Sequence, residues 1–266
     1  MATQTASSPT VDRATKRQIT NIVALGAVLT INALANILPI NGVTTGEVSD
    51  AFPSLFTPAG YVFSIWGLIY LLLIVFVVYQ ALPSQKDNPR LERLGYAFAV
   101  SCAFNFSWLL AWHYGVIGLS QLLMLGLLGS LIVCYLRLGV GKGEVSRTEA
   151  LAVRLPFSVY LGWITVATVA NTSATLLNYG VTGDWLAPFW TVIAIAAATG
   201  VGYLMLRNRR DVVFNLVLVW AFAGIAAQQW GAELLVVVGA LVAAVLVAYL
   251  IAQTLLKRGR LEQAAR

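Results

Sequence analysis

Aromatic and amide side chains recur at steps of three and four residues in three apolar stretches of the chain. These are Phe63, Trp66 and Tyr70; Asn105, Trp108 and Trp112; and Tyr160, Trp163, Ala167 and Asn171. Such steps place side chains on one helical face. Three such faces could wall a pocket for a flat, largely apolar molecule, because aromatic planes stack on conjugated rings and pack against fused ones. Periodicity alone is equally compatible with tight aromatic packing and no ligand.

The stretches that carry these faces belong to a longer series of apolar runs. About eight runs approach the ~20 residues that a hydrocarbon core requires. Their limits are 19–40, 59–82, 95–114, 117–138, 155–179, 187–206, 212–228 and 234–256. The chain is 59% hydrophobic and 11% charged, which is typical of the membrane class. The sequence therefore predicts an all-α, polytopic membrane helix bundle with about eight transmembrane helices.

Charge distribution predicts how this bundle is oriented. All 17 Lys and Arg residues lie in the two tails and in the second, fourth and sixth breaks between runs. The other four breaks carry only the acids Glu47, Asp50, Asp184 and Glu233. Basic loops stay in the cytoplasm, so we expect both termini inside. The +6 charge then reflects topology, not a nucleic-acid partner. We expect the bacterial plasma membrane, with an organelle membrane as the alternative.

The chain lacks the residue sets of ordinary catalysis and ion transport. No charged residue lies near the middle of a run, which argues against proton-coupled pumps and voltage sensors. No nucleophile–base pair, metal-ligand set or nucleotide loop is recognisable. We therefore expect no catalytic residues, metal or cofactor. Cys102 and Cys134 are interpreted as packing residues, and His113 as an interfacial side chain.

Three segments resemble a known family, the tryptophan-rich sensory proteins or TspO/MBR (translocator-protein, peripheral benzodiazepine receptor-like) family. They are 57–63 with Trp66 and Tyr70, 105–108, and 156–171. The resemblance covers about residues 19–180. It implies a five-helix bundle whose pocket lies beneath the loop joining helices one and two, here about 41–57. Family members bind porphyrins, sterols and benzodiazepine-type ligands there. By carry-over, the pocket residues would be Trp66, Tyr70, Asn105, Trp108, Trp163, Ala167 and Asn171.

The chain also departs from the family pattern. Family members often begin the fourth helix with Gly–Trp–Ala–x–x–Asp, but this chain has Gly118, Leu119, Ser120 and Gln121 there. About three further helices follow residue 180. We therefore predict a cytoplasmic tail at 1–18, a five-helix unit at 19–180, a three-helix extension packed on it at 181–256 and a second cytoplasmic tail at 257–266. The resemblance also implies a homodimer.

Together these features predict a membrane receptor or carrier. Its ligand would be a hydrophobic planar molecule, a tetrapyrrole foremost and a sterol or other lipid next, with a sensory or transport role. Expected partners are this small molecule and membrane lipid. The alternatives are a Trp-dependent porphyrin-degrading enzyme, a transporter of another small apolar solute, and a membrane scaffold.

Overall fold

The computed structural model describes residues 12–181 and 186–264, without the side chains of residues 36 and 258–264. Within these ranges all regular structure is helical. The α-helices are α1 (Arg13–Ile37), α2 (Thr45–Asp50), α3 (Ile65–Ala81), α4 (Pro89–Leu94), α5 (Ala97–His113), α6 (Ile117–Arg137), α7 (Arg147–Glu149), α8 (Leu155–Asn178), α9 (Ala187–Arg209), α10 (Val212–Gln228) and α11 (Leu234–Ala264). Short 3-10 helices cover Ile40–Gly42, Gly60–Ser64 and Pro83–Gln85, and a π-helical turn covers Ala150–Arg154.

The eight longest helices coincide with the eight predicted runs. Six segments are long and apolar enough to cross a membrane: Arg13–Ala35, Gly60–Ala81, Ile117–Arg137, Arg147–Asn178, Ala187–Arg209 and Leu234–Lys257. The other two, α5 and α10, have 17 residues each, the lower end of the spanning range. The prediction of an all-α, polytopic membrane helix bundle is confirmed, and the chain is a multi-pass integral membrane protein.

Helix α1 begins before its apolar run. The run starts at residue 19, but the helix starts at Arg13 because the Asp12 carboxylate accepts hydrogen bonds from Ala14 N (2.5 Å) and Thr15 N (3.1 Å). These bonds satisfy backbone donors that the first helical turn leaves unpaired. The polar residues before 19 therefore extend the helix beyond its apolar part.

Helices α5, α8 and α10 form the centre of the bundle. Helix α5 packs between α1 and α6, while α8 contacts α3, α6 and α10. Helix α10 also packs on α9 and α11, so it joins the last three helices to the first five. Gly162 of α8 permits this approach, since a Cβ there would lie 3.1 Å from the carbonyl oxygen of Phe214. The division into a five-helix unit and an extension stays a prediction.

A buried carboxylate fastens α10 to its neighbours. Asp211 caps α10, because its Oδ1 accepts from Phe214 N at 3.0 Å. Its Oδ2 accepts from Tyr135 Oη of α6 and from Ser158 Oγ of α8, both at 2.7 Å. Three helices thus share one carboxylate that is only 6% exposed.

The described basic residues of the breaks meet at one end of the bundle. There Arg17 donates to Lys86 O (3.4 Å), Arg137 to Leu94 O (3.3 Å) and Arg209 to Val140 O (3.2 Å). Arg90 forms an ion pair with Glu149 at 2.8 Å. The side chains after Lys257, and Asp184 in an acidic break, lie outside the described residues. The contacts agree with the one-sided charge pattern.

Candidate functional site

The aromatic faces of α3, α5 and α8 meet around Trp66. Its ring stacks on Tyr70 (5.5 Å between centroids) and Trp108 (6.2 Å). It also meets the edges of Tyr160 and Trp163, each at 6.2 Å. The exposed faces of α3 and α5 instead carry aliphatic residues such as Leu68, Leu71 and Val100, so the aromatic faces of these helices turn toward the interior of the bundle.

A chain of hydrogen bonds runs beneath the rings. Tyr70 Oη donates to Asn32 Oδ1 of α1 at 2.5 Å, and Asn32 Nδ2 lies 3.3 Å from Asn105 Oδ1. Asn105 Nδ2 donates to Tyr160 Oη at 2.9 Å. Four polar side chains from four helices are thereby paired inside apolar surroundings, where an unpaired group would be costly. The chain of bonds fixes the positions of the two tyrosines beside Trp66.

A second group of hydrogen bonds holds Trp108. Its Nε1 donates to Asn171 Oδ1 at 2.9 Å. Asn171 Nδ2 in turn donates to Gln121 Oε1 (2.9 Å) and Ser120 Oγ (3.2 Å) at the start of α6. Ser120 and Gln121 lie in the segment where the chain departs from the TspO/MBR pattern. These two residues therefore orient the Asn171 amide, which in turn fixes Trp108.

The loop after α1, residues 38–59, covers this cluster and is called here the cap loop. Trp112 Nε1 donates to Thr45 O (3.3 Å), and Phe52 lies 6.1 Å from the Trp112 ring. His113 is buried, with Nδ1 2.9 Å from Leu109 O and Nε2 3.4 Å from Thr45 Oγ1. The histidine therefore anchors the cap loop, whereas the sequence analysis interpreted it as an interfacial side chain.

The cap helix α2 has a pH-sensitive start. Thr44 N donates to Glu47 Oε2 (2.7 Å) and Glu47 N donates to Thr44 Oγ1 (3.3 Å), which is a capping box. The hydrogen bonds from the Thr44 backbone, and then from its side chain, lower the pKa of Glu47 below its ordinary value of 4.5. Because the folded pKa is lowered, the carboxylate stabilises α2 above pH 4.5, and this contribution is lost as pH falls through the folded pKa.

We therefore expect Glu47→Gln to increase hydrogen exchange of the α2 amides near neutral pH. The wild-type and variant proteins should become similar at pH values below the lowered pKa, because both side chains are then neutral. Hydrogen exchange of the two proteins at matched pH values measures this. A difference that persists at acidic pH would contradict the assignment.

Two spaces lie beside Trp66. A small cavity of about 40 Å³ lies beneath the cap loop, with Trp163, Ala167 and Asn171 in its wall. A groove of about 570 Å³ lies between α1 and α3, with Asn32 and Tyr70 in its wall. Residues that line both spaces form the partition between them; they are Thr45, Phe63, Trp66 and Trp108. The cavity alone has room for only about one or two water molecules, whereas the groove has the volume of a ligand site.

One polar group in the cavity wall lacks a partner. Trp163 is 1% exposed, and its Nε1 has no hydrogen-bond partner among the described residues. Phe63 meets the Trp163 ring edge-on at 5.8 Å. Buried donors of this kind are rare in folded proteins. A ligand or water with an acceptor atom in the cavity would satisfy it.

Helix α10 supports the site from behind. Ala59 N donates to Gly224 O at 3.1 Å, and Trp220 Nε1 donates to Val62 O at 3.2 Å. The Trp220 ring also meets Tyr61 at 5.4 Å. These contacts hold the Gly60–Ser64 turn, which carries Phe63 and leads into Trp66. The sequence analysis did not identify this support, because nothing in the periodicity of α10 indicates its partner.

The predicted site residues lie in one cluster, but only some of them line the cavity or the groove. Seven of them line the cavity or the groove: Phe63, Trp66, Tyr70, Trp108, Trp163, Ala167 and Asn171. Asn105 and Tyr160 are buried behind the rings and line neither space. Residues that the prediction missed are Asn32, Thr45 and Met124 in the walls. The ligand-binding role of the nine predicted site residues stays a prediction.

Fold and site together define a class of protein: a polytopic membrane helix bundle whose central aromatic cluster lies under a capping loop. Comparison with protein families matches residues 18–253 to the TSPO-like protein family. The chain belongs to the TSPO-like family. The match runs from α1 into α11 and so includes the last three helices as well as the first five. A search of curated proteins finds no match, and neither does a search of solved structures.

Proposed function

We propose that this protein is a membrane receptor or carrier for a flat, largely apolar ligand, a tetrapyrrole foremost. The observation that carries the proposal is the groove of about 570 Å³ walled by Phe63, Trp66, Tyr70 and Trp108. Drug-sized and cofactor-sized ligands occupy apolar spaces of ~300–1,000 Å³ with a few polar groups. Asn32 and Thr45 supply such groups in the groove, and Trp163 Nε1 supplies a donor beyond the partition.

Trp66 is the element that would move to join the groove and the cavity. Trp108 is held by its hydrogen bond to Asn171, but Trp66 makes only ring contacts with the described residues. Rotation of the Trp66 side chain would merge the two spaces and bring a ligand against Trp163. Membership in the TSPO-like family supports a binding function of this kind.

We further propose that the basic end of the bundle faces the cytoplasm of a bacterium, since basic loops stay on that side. The cap loop then lies on the outer side. The proposal is for binding without conversion of the ligand, as no acid–base pair adjoins the cavity in the described structure. Among the described residues, no group of three or more His, Cys, Asp or Glu side chains could hold a metal ion.

Titration with protoporphyrin IX, followed by its Soret absorbance, tests the proposal. We expect saturable binding that Trp163→Phe weakens about tenfold, because the change removes the unpaired donor and part of the ring surface. Trp66→Phe should also weaken binding. Trp190→Phe is the matched control, since Trp190 lies on α9 and is 56% exposed.

Two outcomes would count against the proposal. Binding curves that are the same in all three variants would show that the ligand does not bind at this aromatic cluster. Loss of the Soret band under illumination but not in the dark, abolished by Trp66→Phe, would instead support the porphyrin-degrading alternative.

A further inference from the structure

A second space that could hold a ligand lies at the basic end of the bundle, at the opposite end of the long helices from the cap loop. It is a recess of about 1380 Å³ between the end of α9, the loop before α7 and the last turns of α11. Five basic residues line it: Arg154, Arg207, Arg209, Arg210 and Lys257. Among the residues that the structure describes, the only acid in its wall is Glu144. The recess therefore carries a strong positive potential.

Within the described part of the chain, none of these cations forms an ion pair with a carboxylate. The ion pairs found there join Lys86 with Asp12 and Arg90 with Glu149, none of which lines the recess. Backbone carbonyls orient two of the arginines instead. Arg154 Nη2 donates to Lys142 O (2.6 Å) and Gly143 O (2.8 Å). Carbonyl groups position a guanidinium but leave its charge available for an anion.

A glycine-rich turn makes this arrangement possible. Gly139, Gly141 and Gly143 have φ values of 64°, 74° and 65°, which L-residues with a side chain rarely adopt. A Cβ at Gly141 would also overlap the carbonyl oxygen of Arg209. The turn thereby comes close enough for Val140 O to accept from Arg209 Nη1 at 3.2 Å. The two arginines are held in place by the fold and are not free surface side chains.

One donor of the recess has no partner. Arg154 Nε is buried and makes no hydrogen bond with any described residue. Such a group requires an acceptor that the described residues do not supply. The lining also includes Tyr203, Leu206 and Leu250 on the long apolar helices α9 and α11, so apolar surface adjoins the cations near the ends of these helices.

We propose that this recess binds the phosphate-bearing headgroup of an anionic phospholipid. The arginines and Lys257 would receive the phosphate oxygens, and the apolar residues of α9 and α11 would pack against the upper acyl chains. Basic pockets between membrane helices on the cytoplasmic side suit such headgroups, because that leaflet carries anionic lipid. A free phosphate compound shares the headgroup chemistry but would leave the apolar wall unused.

Native mass spectrometry of the detergent-purified protein tests the proposal. The protein is offered phosphatidylglycerol and phosphatidylcholine of equal chain length, and the retained lipid is identified. We expect the wild type to retain phosphatidylglycerol preferentially. Arg154→Gln should lower that retention about fivefold, as expected for one cation near a lipid surface. Retention of phosphatidylcholine should not change.

Controls separate site binding from general charge and from misfolding. Arg13→Gln removes an exposed cation outside the recess and should behave as the wild type. A double variant, Arg207→Gln with Lys257→Gln, changes two exposed side chains of the recess. It should leave the fold intact and also lower the retention of phosphatidylglycerol. Equal retention in the wild type and in both recess variants would overturn the proposal. Displacement of the lipid by millimolar inorganic phosphate would assign the recess to a soluble phosphate compound and overturn the lipid assignment.

Discussion

Replacing Asp211 by alanine is expected to lower the midpoint of thermal unfolding by about 10 °C, since each kcal/mol corresponds to ~2–4 °C for a chain of this size. The alanine leaves the Tyr135 and Ser158 hydroxyls without their buried acceptor and removes the cap of α10. The two unpaired hydroxyls cost ~1–3 kcal/mol each and the cap ~1 kcal/mol, about 3–5 kcal/mol in total after partial rearrangement.

The two buried thiols provide the measurement. Cys102 and Cys134 are free and buried, so a thiol-reactive fluorophore labels them only as the protein unfolds on heating. Asp12→Ala is the matched control, because Asp12 also caps a helix but is exposed and should give a much smaller shift. Equal unfolding midpoints for the two variants would show that Asp211 does not join the three helices.

Replacing Gly224 by valine is expected to reduce affinity for a planar ligand at least tenfold while the protein stays folded. A Cβ at Gly224 overlaps the Val62 side chain and lies 3.2 Å from Pro58 Cβ. Overpacking of a close contact typically costs ~1–3 kcal/mol. Here the Gly60–Ser64 turn must shift, because α10 is held on its other side by α9 and α11. That shift displaces Phe63 and Trp66 from the walls of the groove.

Two measurements examine this effect. Protoporphyrin titration reports the affinity, and hydrogen exchange of the amides at 59–64 reports the turn without any ligand. Gly129→Val is the control, because a Cβ there meets nothing within 4 Å. Unchanged exchange at 59–64 in Gly224→Val would show that α10 does not set the position of the turn. Altered exchange with unchanged affinity would instead separate the turn from the ligand site.

The helices could be predicted from the length of the apolar runs, and their inward faces from the spacing of aromatic and amide residues. A run of about 20 apolar residues indicates a span, and the steps between Trp66 and Tyr70 or Tyr160 and Trp163 indicate a shared face. Since lipid offers no partner to indole or amide groups, these faces turn inward. The same logic explains why the amides Asn105 and Asn171 are both hydrogen-bonded in the bundle.

The size of the enclosed space could not be predicted. Whether rings at 5–6 Å separations leave a cavity of 40 Å³ or a larger one depends on side-chain rotations that periodicity does not describe. The contribution of α10 was also invisible. Its hydrogen bond from Trp220 to Val62 joins residues 158 positions apart, and a small glycine on an apolar helix does not indicate which turn it meets.

The seam between Gly162 of α8 and the backbone of α10 has a consequence for assembly. Because both helices belong to one polypeptide, their association does not weaken on dilution, as a contact between separate subunits would. That side of α8 is also closed to a second copy of the chain. Helix α10 of the same chain therefore occupies this side of α8, and its support of the aromatic cluster is independent of protein concentration in the bilayer.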